Sequence, residues 1–166
     1  DNAVTTRTFD VTVSPVNDDP TLDPVAEKHP SNSWSQLGFD IDGKTAGEHS
    51  GYSVSLSNDG STVAIGASYG RNEVESGHVR IYRWADGSWK QLGSDIDGEA
   101  AGDWSGYSTS LSSDGNVVAI GADGNDGNGT DSGHVRIYRW ANDSWTQLGS
   151  DIDGEASKNW SGDGVT

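Results

Sequence analysis

The stretch Ser88-Trp89-Lys90-Gln91-Leu92-Gly93 opens a unit that the chain repeats, and this repeat decides the fold. Close copies of it are Ser33-Trp34-Ser35-Gln36-Leu37-Gly38 and Ser144-Trp145-Thr146-Gln147-Leu148-Gly149. Trp89 follows Trp34 by 55 residues and precedes Trp145 by 56. A fixed period of this size is the sequence signature of solenoids, propellers and repeat arrays. We therefore expect several copies of one small structural unit.

Each complete copy contains three further apolar runs that are separated by turn residues. In the second copy they span residues 107–112, 117–122 and 134–140. The first and last runs alternate, which is typical of half-buried strands, whereas the middle run is continuously apolar or small and predicts a strand covered on both faces. Asp114-Gly115 lies between apolar runs and favours a tight hairpin. With Trp89 to Leu92 as a short first strand, each unit is predicted to form a four-stranded antiparallel sheet.

The repeat also divides the chain into segments. Residues 33–87 and 88–143 are two units, and residues 144–166 are a truncated third. Residues 1–22 differ in composition, and residues 23–32 are expected to be a linker. Four antiparallel strands repeated every 50 or so residues fit the blade of a β-propeller, which typically has about 4–8 blades. We therefore predict an all-β chain that is a fragment of a propeller, with further blades in the same parent chain.

Composition narrows the classes of function. The 166 residues include 26 acidic and 10 basic side chains, which give a formal net charge of −16. This charge repels phosphate backbones and anionic membrane surfaces, so nucleic acid is not an expected partner. No stretch approaches the roughly 18 apolar residues of a membrane span, so direct membrane insertion is not expected either. The chain has no cysteine, which excludes disulfides and thiolate catalysis.

An acidic loop follows the opening strand of each unit. In the second copy it contains Asp95, Asp97, Glu99 and Asp103, at positions 1, 3, 5 and 9. This spacing can direct several oxygens onto one hard cation such as Ca²⁺. In the first copy Lys44 occupies the position of Glu99, so a cationic side chain replaces one ligand there. Solvated acidic turns are the alternative interpretation.

A second acidic loop follows the run at residues 117–122. Asp123, Asn125 and Asp131 are its predicted metal ligands, and Asp126 and Asn128 lie in the same loop. The first copy does not preserve this pattern. Solvated turns are again the alternative.

Histidine and tryptophan residues also recur with the repeat. His78 and His134 occupy the same place in their copies, so we assign them to strand ends of the scaffold and not to catalysis. The tryptophans that recur in register are expected to pack between repeats. Trp104 and Trp160 align with His49 in a polar loop and are the predicted ligand contacts, with packing as the alternative.

Three motifs carry a resemblance to a known family. They are Gly51-Tyr52-Ser53-Val54-Ser55-Leu56-Ser57, Val63-Ala64-Ile65-Gly66-Ala67 and Ser76-Gly77-His78-Val79-Arg80-Ile81-Tyr82. Together with their counterparts in the second copy they resemble the FG-GAP repeat, the blade of integrin-α-type β-propellers. The resemblance covers about 130 residues. It implies adhesion or ligand binding at the cell surface or outside the cell.

The beginning of the chain resembles a different module. The segment Val11-Thr12-Val13-Ser14-Pro15-Val16-Asn17-Asp18-Asp19-Pro20 is similar to the last strand and linker of cadherin-like repeats in large bacterial surface proteins. The resemblance implies that residues 1–22 are the remnant of a β-sandwich repeat. It also implies that Asn17, Asp18 and Asp19 are calcium ligands in the parent protein. An ordinary Asn/Asp/Pro turn is the alternative interpretation of these residues.

The sequence therefore predicts a non-enzymatic binding or adhesion module of a large surface or secreted protein. The expected ligand is an extracellular protein or a glycan, and the expected cofactor is Ca²⁺. Two alternatives stay open. One is a propeller enzyme acting on polysaccharide, which requires an unrepeated acid/base pair, and the other is a purely structural spacer.

Overall fold

The structure is a computed structural model that describes residues 34–68 and 76–166. Contacts divide the chain into two units, Asp1–Ser35 and Gln36–Thr166, and every strand of the described ranges belongs to the second unit. The predicted cadherin-like remnant at residues 1–22 and the linker at 23–32 lie outside the described residues. Within the described ranges the chain has no helix, and hence none long and apolar enough to cross a membrane.

Two antiparallel sheets of five strands each form the fold. Sheet 1 consists of β1 (Ser53–Leu56), β2 (Thr62–Ala67), β3 (His78–Ala85), β4 (Ser88–Gln91) and β5 (Ile96–Asp97). Sheet 2 consists of β6 (Ser108–Leu111), β7 (Val117–Ala122), β8 (His134–Ala141), β9 (Ser144–Gln147) and β10 (Ile152–Asp153). In each sheet the first three strands are neighbours in chain order, and the last two strands both pair with the third. The prediction of an all-β chain with antiparallel sheets is confirmed.

The strand at Ser88–Gln91 joins a different sheet from the one that the sequence predicts. β4 pairs with β3, and Trp89 lies opposite Trp84, so this strand completes sheet 1 instead of opening the next sheet. β9 completes sheet 2 in the same way. The predicted grouping of residues 88–143 into one four-stranded sheet is therefore wrong, because two strands of this range, β4 and β5, belong to sheet 1 and each sheet has five strands.

The turn between β3 and β4 gives the physical reason for this grouping. Asp86 and Gly87 both have positive φ values, 50° and 76°. A two-residue turn with two positive φ values is the type I′ hairpin turn, whose twist matches that of antiparallel neighbours. The hairpin therefore holds Ser88–Gln91 on the strand that immediately precedes it.

The two sheets stack face to face. Ala64, Val79 and Ile81 lie on one face of sheet 1, which we call its front face. Sheet 2 has a front face equivalent to that of sheet 1. Val118, Ile120 and Tyr138 lie on its other face, which we call the back face. These six side chains and Ile96 form one buried core cluster. The front face of sheet 1 thus packs on the back face of sheet 2, and burial of this apolar surface is the main favourable contribution to the stacking.

Small residues bring the two sheets close together. A Cβ on Gly66 would lie 2.1 Å from the carbonyl oxygen of Gly106, so only glycine permits this approach. Ser53 Oγ donates to the same carbonyl oxygen at 2.8 Å, and Leu111 N donates to Ser55 Oγ at 2.9 Å. Gly66 belongs to the middle strand β2, so the small residues of this strand allow the neighbouring sheet to approach closely.

Candidate functional site

A polar cluster lies where the two sheets meet. His134 is the first residue of β8, Asp151 immediately precedes β10, and Glu99 follows β5 by two residues. His134 Nδ1 lies 3.8 Å from Asp151 Oδ2 and 4.0 Å from Glu99 Oε2. One ligand atom from each residue lies within 4.8 Å of the other two, and no second such group of three occurs among the described residues. We call these three residues the Glu99–His134–Asp151 cluster.

His134 is buried without a hydrogen-bond partner. Its side chain is 1% exposed, and neither ring nitrogen has a partner. Burial lowers the pKa of His134, and the nearby Arg136 charge lowers it further. The ring is therefore neutral at pH 7 and carries a nitrogen lone pair that can accept a proton or bind a metal.

The neighbours of the cluster hold its carboxylates in place. Asp151 Oδ1 accepts a hydrogen bond from Gln147 Nε2 at 2.6 Å, which leaves Oδ2 directed toward His134. Asp103 Oδ2 accepts from the backbone N–H groups of Glu99 and Ala100, at 3.1 and 2.9 Å. These two bonds fix the turn that carries the Glu99 side chain, which is itself half exposed.

Arg136 is the cation nearest to the cluster. Its Nη2 donates to the carbonyl oxygen of Asp97 at 2.8 Å, and its Nη1 lies 3.7 Å from Glu99 Oε1. Its Nε is buried without a partner. Arg136 therefore interacts only partly with the acidic residues around it.

Sheet 1 contains the equivalent place, with a different set of side chains. His78, Asp95 and Lys44 occupy the positions of His134, Asp151 and Glu99. Lys44 Nζ donates to Asp95 Oδ1 at 2.9 Å, and Arg80 Nε donates to Asp95 Oδ2 at 2.8 Å. Burial raises the pKa of Asp95, but the hydrogen bonds from Lys44 and Arg80 outweigh it and hold that pKa well below its usual range.

Arg80 also binds the acid at the position of Asp103. Glu48 accepts two bonds from the guanidinium, at 2.7 and 3.2 Å, and the Arg80 hydrogen bond lowers the pKa of Glu48 to about 2. Around His78 three acids, Glu48, Asp95 and Asp97, face two bases, Lys44 and Arg80, which leaves one negative charge in excess. Around His134 three acids face the single base Arg136, which leaves two negative charges in excess.

The four acids of the first predicted calcium loop contact different partners in the structure. Asp95 binds Lys44 and Arg80, Asp103 is buried against backbone N–H groups, and Asp97 is exposed. Only Glu99 lies in the three-residue cluster. The four carboxylates do not converge on one point, and calcium binding by this loop stays a prediction.

Several oxygen atoms of the second predicted calcium loop accept hydrogen bonds from residues of the same loop. Asn125 Oδ1 accepts from Gly127 N at 2.8 Å, and Asp126 Oδ1 accepts from Asp131 N at 2.8 Å. Asp123 is 4% exposed and has a buried, unpartnered Oδ1. Burial raises the pKa of Asp123 to about 6, and the charges of Asp163 and Asp131 add to this effect. Metal binding by this loop also stays a prediction.

The two predicted ligand-contact tryptophans share an unusual backbone conformation. Trp104 and Trp160 have φ values of 56° and 54°, and His49 at the equivalent position has 54°. Positive φ is rare for a bulky side chain. Trp104 is half buried and packs over Gly124, where an added Cβ would lie 3.0 Å from Trp104 Cε3. Trp160 is 41% exposed.

A groove of about 280 Å³ lies beside β5 and the hairpin of β8 and β9. Its lining includes three carboxylates, those of Asp95, Asp97 and Asp143. Two aromatic side chains, Tyr138 and Trp145, complete this part of the lining. Aromatic side chains and hydrogen-bond acceptors therefore line one concave surface, in which Trp145 is more exposed than the buried Tyr138.

Comparison with models of known protein families finds no match to this chain, and no curated protein matches it. A function for the chain accordingly rests on its residues and on their geometry. Sequence reasoning did not connect His134 and Asp151 with Glu99. The exchange of Lys44 for Glu99 between two otherwise similar copies was the sequence signal that could have found the cluster.

Proposed function

We propose that this chain is part of a non-enzymatic binding module of a large surface or secreted protein, built from FG-GAP-type blades and acting at the cell surface or outside the cell. The groove beside β5 is the observation that carries the proposal. It combines the aromatic side chains of Tyr138 and Trp145 with three carboxylates. A sugar fits this chemistry, because its C–H face can pack on the partly exposed ring of Trp145 and its hydroxyl groups can donate to the exposed carboxylates of Asp97 and Asp143.

The repetition of the sheets supports binding over catalysis. Stacked repeats form extended surfaces on which several equivalent positions can contact one long ligand. Trp104 and Trp160 occupy such equivalent positions, and Trp160 is partly exposed. The ligand that we propose is therefore a glycan chain, with an extracellular protein as the second candidate.

A glycan array followed by calorimetry with the best oligosaccharide tests this function. Asp97→Asn and Asp143→Asn each replace an exposed carboxylate of the groove, and each is expected to weaken binding about 2- to 10-fold by loss of a hydrogen bond. Asp42→Asn is the matched control, because Asp42 is exposed and holds the position of Asp97 in the preceding copy. The affinity of the Asp42→Asn chain for the oligosaccharide should equal that of the unchanged chain.

The same array distinguishes the alternatives. Release of reducing ends from a bound polysaccharide would identify an enzyme and overturn the proposal. Absence of binding to glycans and to extracellular matrix proteins would instead identify a structural spacer. Trp160→Ala tests the predicted aromatic contact separately, and it should weaken only ligands long enough to reach beyond the groove.

A further inference from the structure

We propose that Glu99, His134 and Asp151 bind one divalent transition-metal cation, such as Zn²⁺ or Mn²⁺, at the junction of the two sheets. This site is distinct from the groove and does not depend on the proposed glycan binding. It also differs from the predicted calcium loops, because its ligands come from three separate segments and one of them is the imidazole of His134.

The first argument is the state of His134. A buried imidazole normally has hydrogen-bond partners, since leaving a buried polar group unpaired is costly. His134 is 1% exposed, and both of its ring nitrogens lack a partner. Its Nδ1 is nevertheless directed at two carboxylate oxygens, 3.8 and 4.0 Å away. These distances are too long for hydrogen bonds, and a cation between the three atoms satisfies all of them at once.

The second argument is the equivalent place in sheet 1. There the ammonium group of Lys44 lies 2.9 Å from Asp95, the counterpart of Asp151. The ammonium group is a positive charge supplied by the chain itself. In the second copy Glu99 replaces this lysine, so a carboxylate that can bind a metal stands where sheet 1 has an ammonium group.

The third argument is charge. Glu99, Asp103 and Asp151 surround His134 together with the single cation Arg136. The excess of two negative charges equals the charge of one divalent cation. In sheet 1 the charges of Glu48 and Asp95 are already balanced by Lys44 and Arg80. Asp97 is the third acid near His78, so the excess of negative charge is one around His78 and two around His134.

The donor set decides the class of metal. An imidazole nitrogen with carboxylate oxygens suits Zn²⁺ and its first-row neighbours, whereas Ca²⁺ takes oxygen ligands. Zinc bonds of about 2.0–2.1 Å place neighbouring ligand atoms roughly 3.3 Å apart in a tetrahedral site. The distances from His134 Nδ1 to the two carboxylate oxygens exceed this value by less than about 1 Å. The side chain of Glu99 is 48% exposed and is free to close this gap.

The experiment is a titration of EDTA-treated full chain at neutral pH with Zn²⁺, Mn²⁺ and Ca²⁺ by calorimetry, together with thermal melts. We expect one Zn²⁺ per chain, weaker Mn²⁺ binding, and no Ca²⁺ binding that depends on these three residues. A hundredfold excess over Kd should raise Tm by about 5–10 °C. Proton-detected nitrogen shifts of the imidazole should move for His134 and stay constant for His78.

Substitution of Glu99 provides the sharpest variants. Glu99→Lys copies the residue of sheet 1, so it should abolish Zn²⁺ binding and raise Tm of the metal-free chain. Glu99→Gln should weaken Zn²⁺ binding at least about 10-fold, as loss of a charged ligand does. Glu155→Gln is the matched control, because Glu155 has the equivalent position in the third copy and is exposed. It should bind Zn²⁺ as tightly as the unchanged chain.

Three results would overturn the proposal. They are no binding of any of the transition metals, Zn²⁺ binding of equal affinity in the Glu99→Gln chain, and Zn²⁺ binding that leaves the His134 nitrogen shifts unchanged. The last measurement uses the unchanged chain, so a folding defect in a variant cannot obscure the outcome.

Discussion

Single side chains make equivalent places in the two sheets chemically different. Glu48 reaches the guanidinium of Arg80, whereas Asp103 is one methylene shorter and accepts only from backbone N–H groups in its hydrogen bonds. Arg136, the counterpart of Arg80, donates instead to the carbonyl oxygen of Asp97. The backbone repeat is therefore compatible with different charge patterns. These patterns, and not the strands, distinguish the candidate sites.

Asp123 offers a prediction at the scale of one residue. Its pKa is raised to about 6 in the folded chain, so the folded state binds more protons than the unfolded state between about pH 4 and 6. Stability contributed by the protonated form is therefore lost as the pH rises through this window. Asp123→Asn removes the buried charge and should stabilise the chain by about 1–3 kcal/mol at neutral pH, as measured by urea melts.

The gain in the Asp123→Asn chain should disappear below about pH 4, where Asp123 is protonated in both states. Asp143→Asn makes the same change of charge at an exposed position, so its effect should stay within about 0.5 kcal/mol. A gain that is independent of pH would show that the buried charge of Asp123 is not its cause.

At the scale of strands, two equivalent isoleucines have different surroundings. Ile96 in β5 pairs with Val79, and Ile152 in β10 pairs with Val135, in the same register. Ile96 is 6% exposed and belongs to the core between the sheets, whereas Ile152 on the front face of sheet 2 is 54% exposed. Stacking of the next sheet, and not strand position, is what buries this residue.

Ile96 and Ile152 form a matched pair of positions for testing how much burial between the sheets contributes to stability. Ile96→Ala should lower the free energy of unfolding by about 2–4 kcal/mol, because it leaves a cavity in the core. Ile152→Ala should cost less than about 1 kcal/mol, because its side chain is largely in solvent. Urea melts of both variants measure the difference. Equal losses would mean that Ile152 is covered in solution.

At the scale of the whole described unit, the two sheets share one core. Ala64, Val79, Ile81 and Ile96 come from sheet 1, and they pack with Val118, Ile120 and Tyr138 from sheet 2. Neither sheet buries these side chains alone, since a repeat covers its apolar face only against its neighbour. The sheets are therefore expected to depend on one another for stability.

Unfolding should accordingly be cooperative. Urea melts followed by far-UV circular dichroism and by tryptophan fluorescence should coincide, because tryptophan pairs lie in both sheets, Trp84 with Trp89 and Trp140 with Trp145. Val118→Ala should shift both curves equally, although Val118 belongs to sheet 2. Two separated transitions would contradict the shared core.

Much of the secondary structure could be predicted from short patterns. The run at residues 117–122 and the alternating run that begins at His134 are strands, and Asp114-Gly115 lies in the turn between β6 and β7. Asp86-Gly87 carries the same hairpin signal and would have assigned Ser88–Gln91 correctly. The repeat length could not assign this strand to a sheet, because a repeat of about 55 residues can be divided into units at any starting residue.

The sequence alone determined the longer strands, the tight turns and the antiparallel all-β class, because alternation and turn chemistry act between residues close in the chain. The two-residue strands β5 and β10 lie in stretches that have the pattern of acidic loops. The tertiary structure decided that Ile96–Asp97 and Ile152–Asp153 pair with β3 and β8, and which side chains meet at the junction of the sheets. Glu99, His134 and Asp151 belong to different strands and loops, and only strand pairing and the stacking of one sheet on the next bring them together. Their proximity therefore has no signature in any short stretch of the sequence.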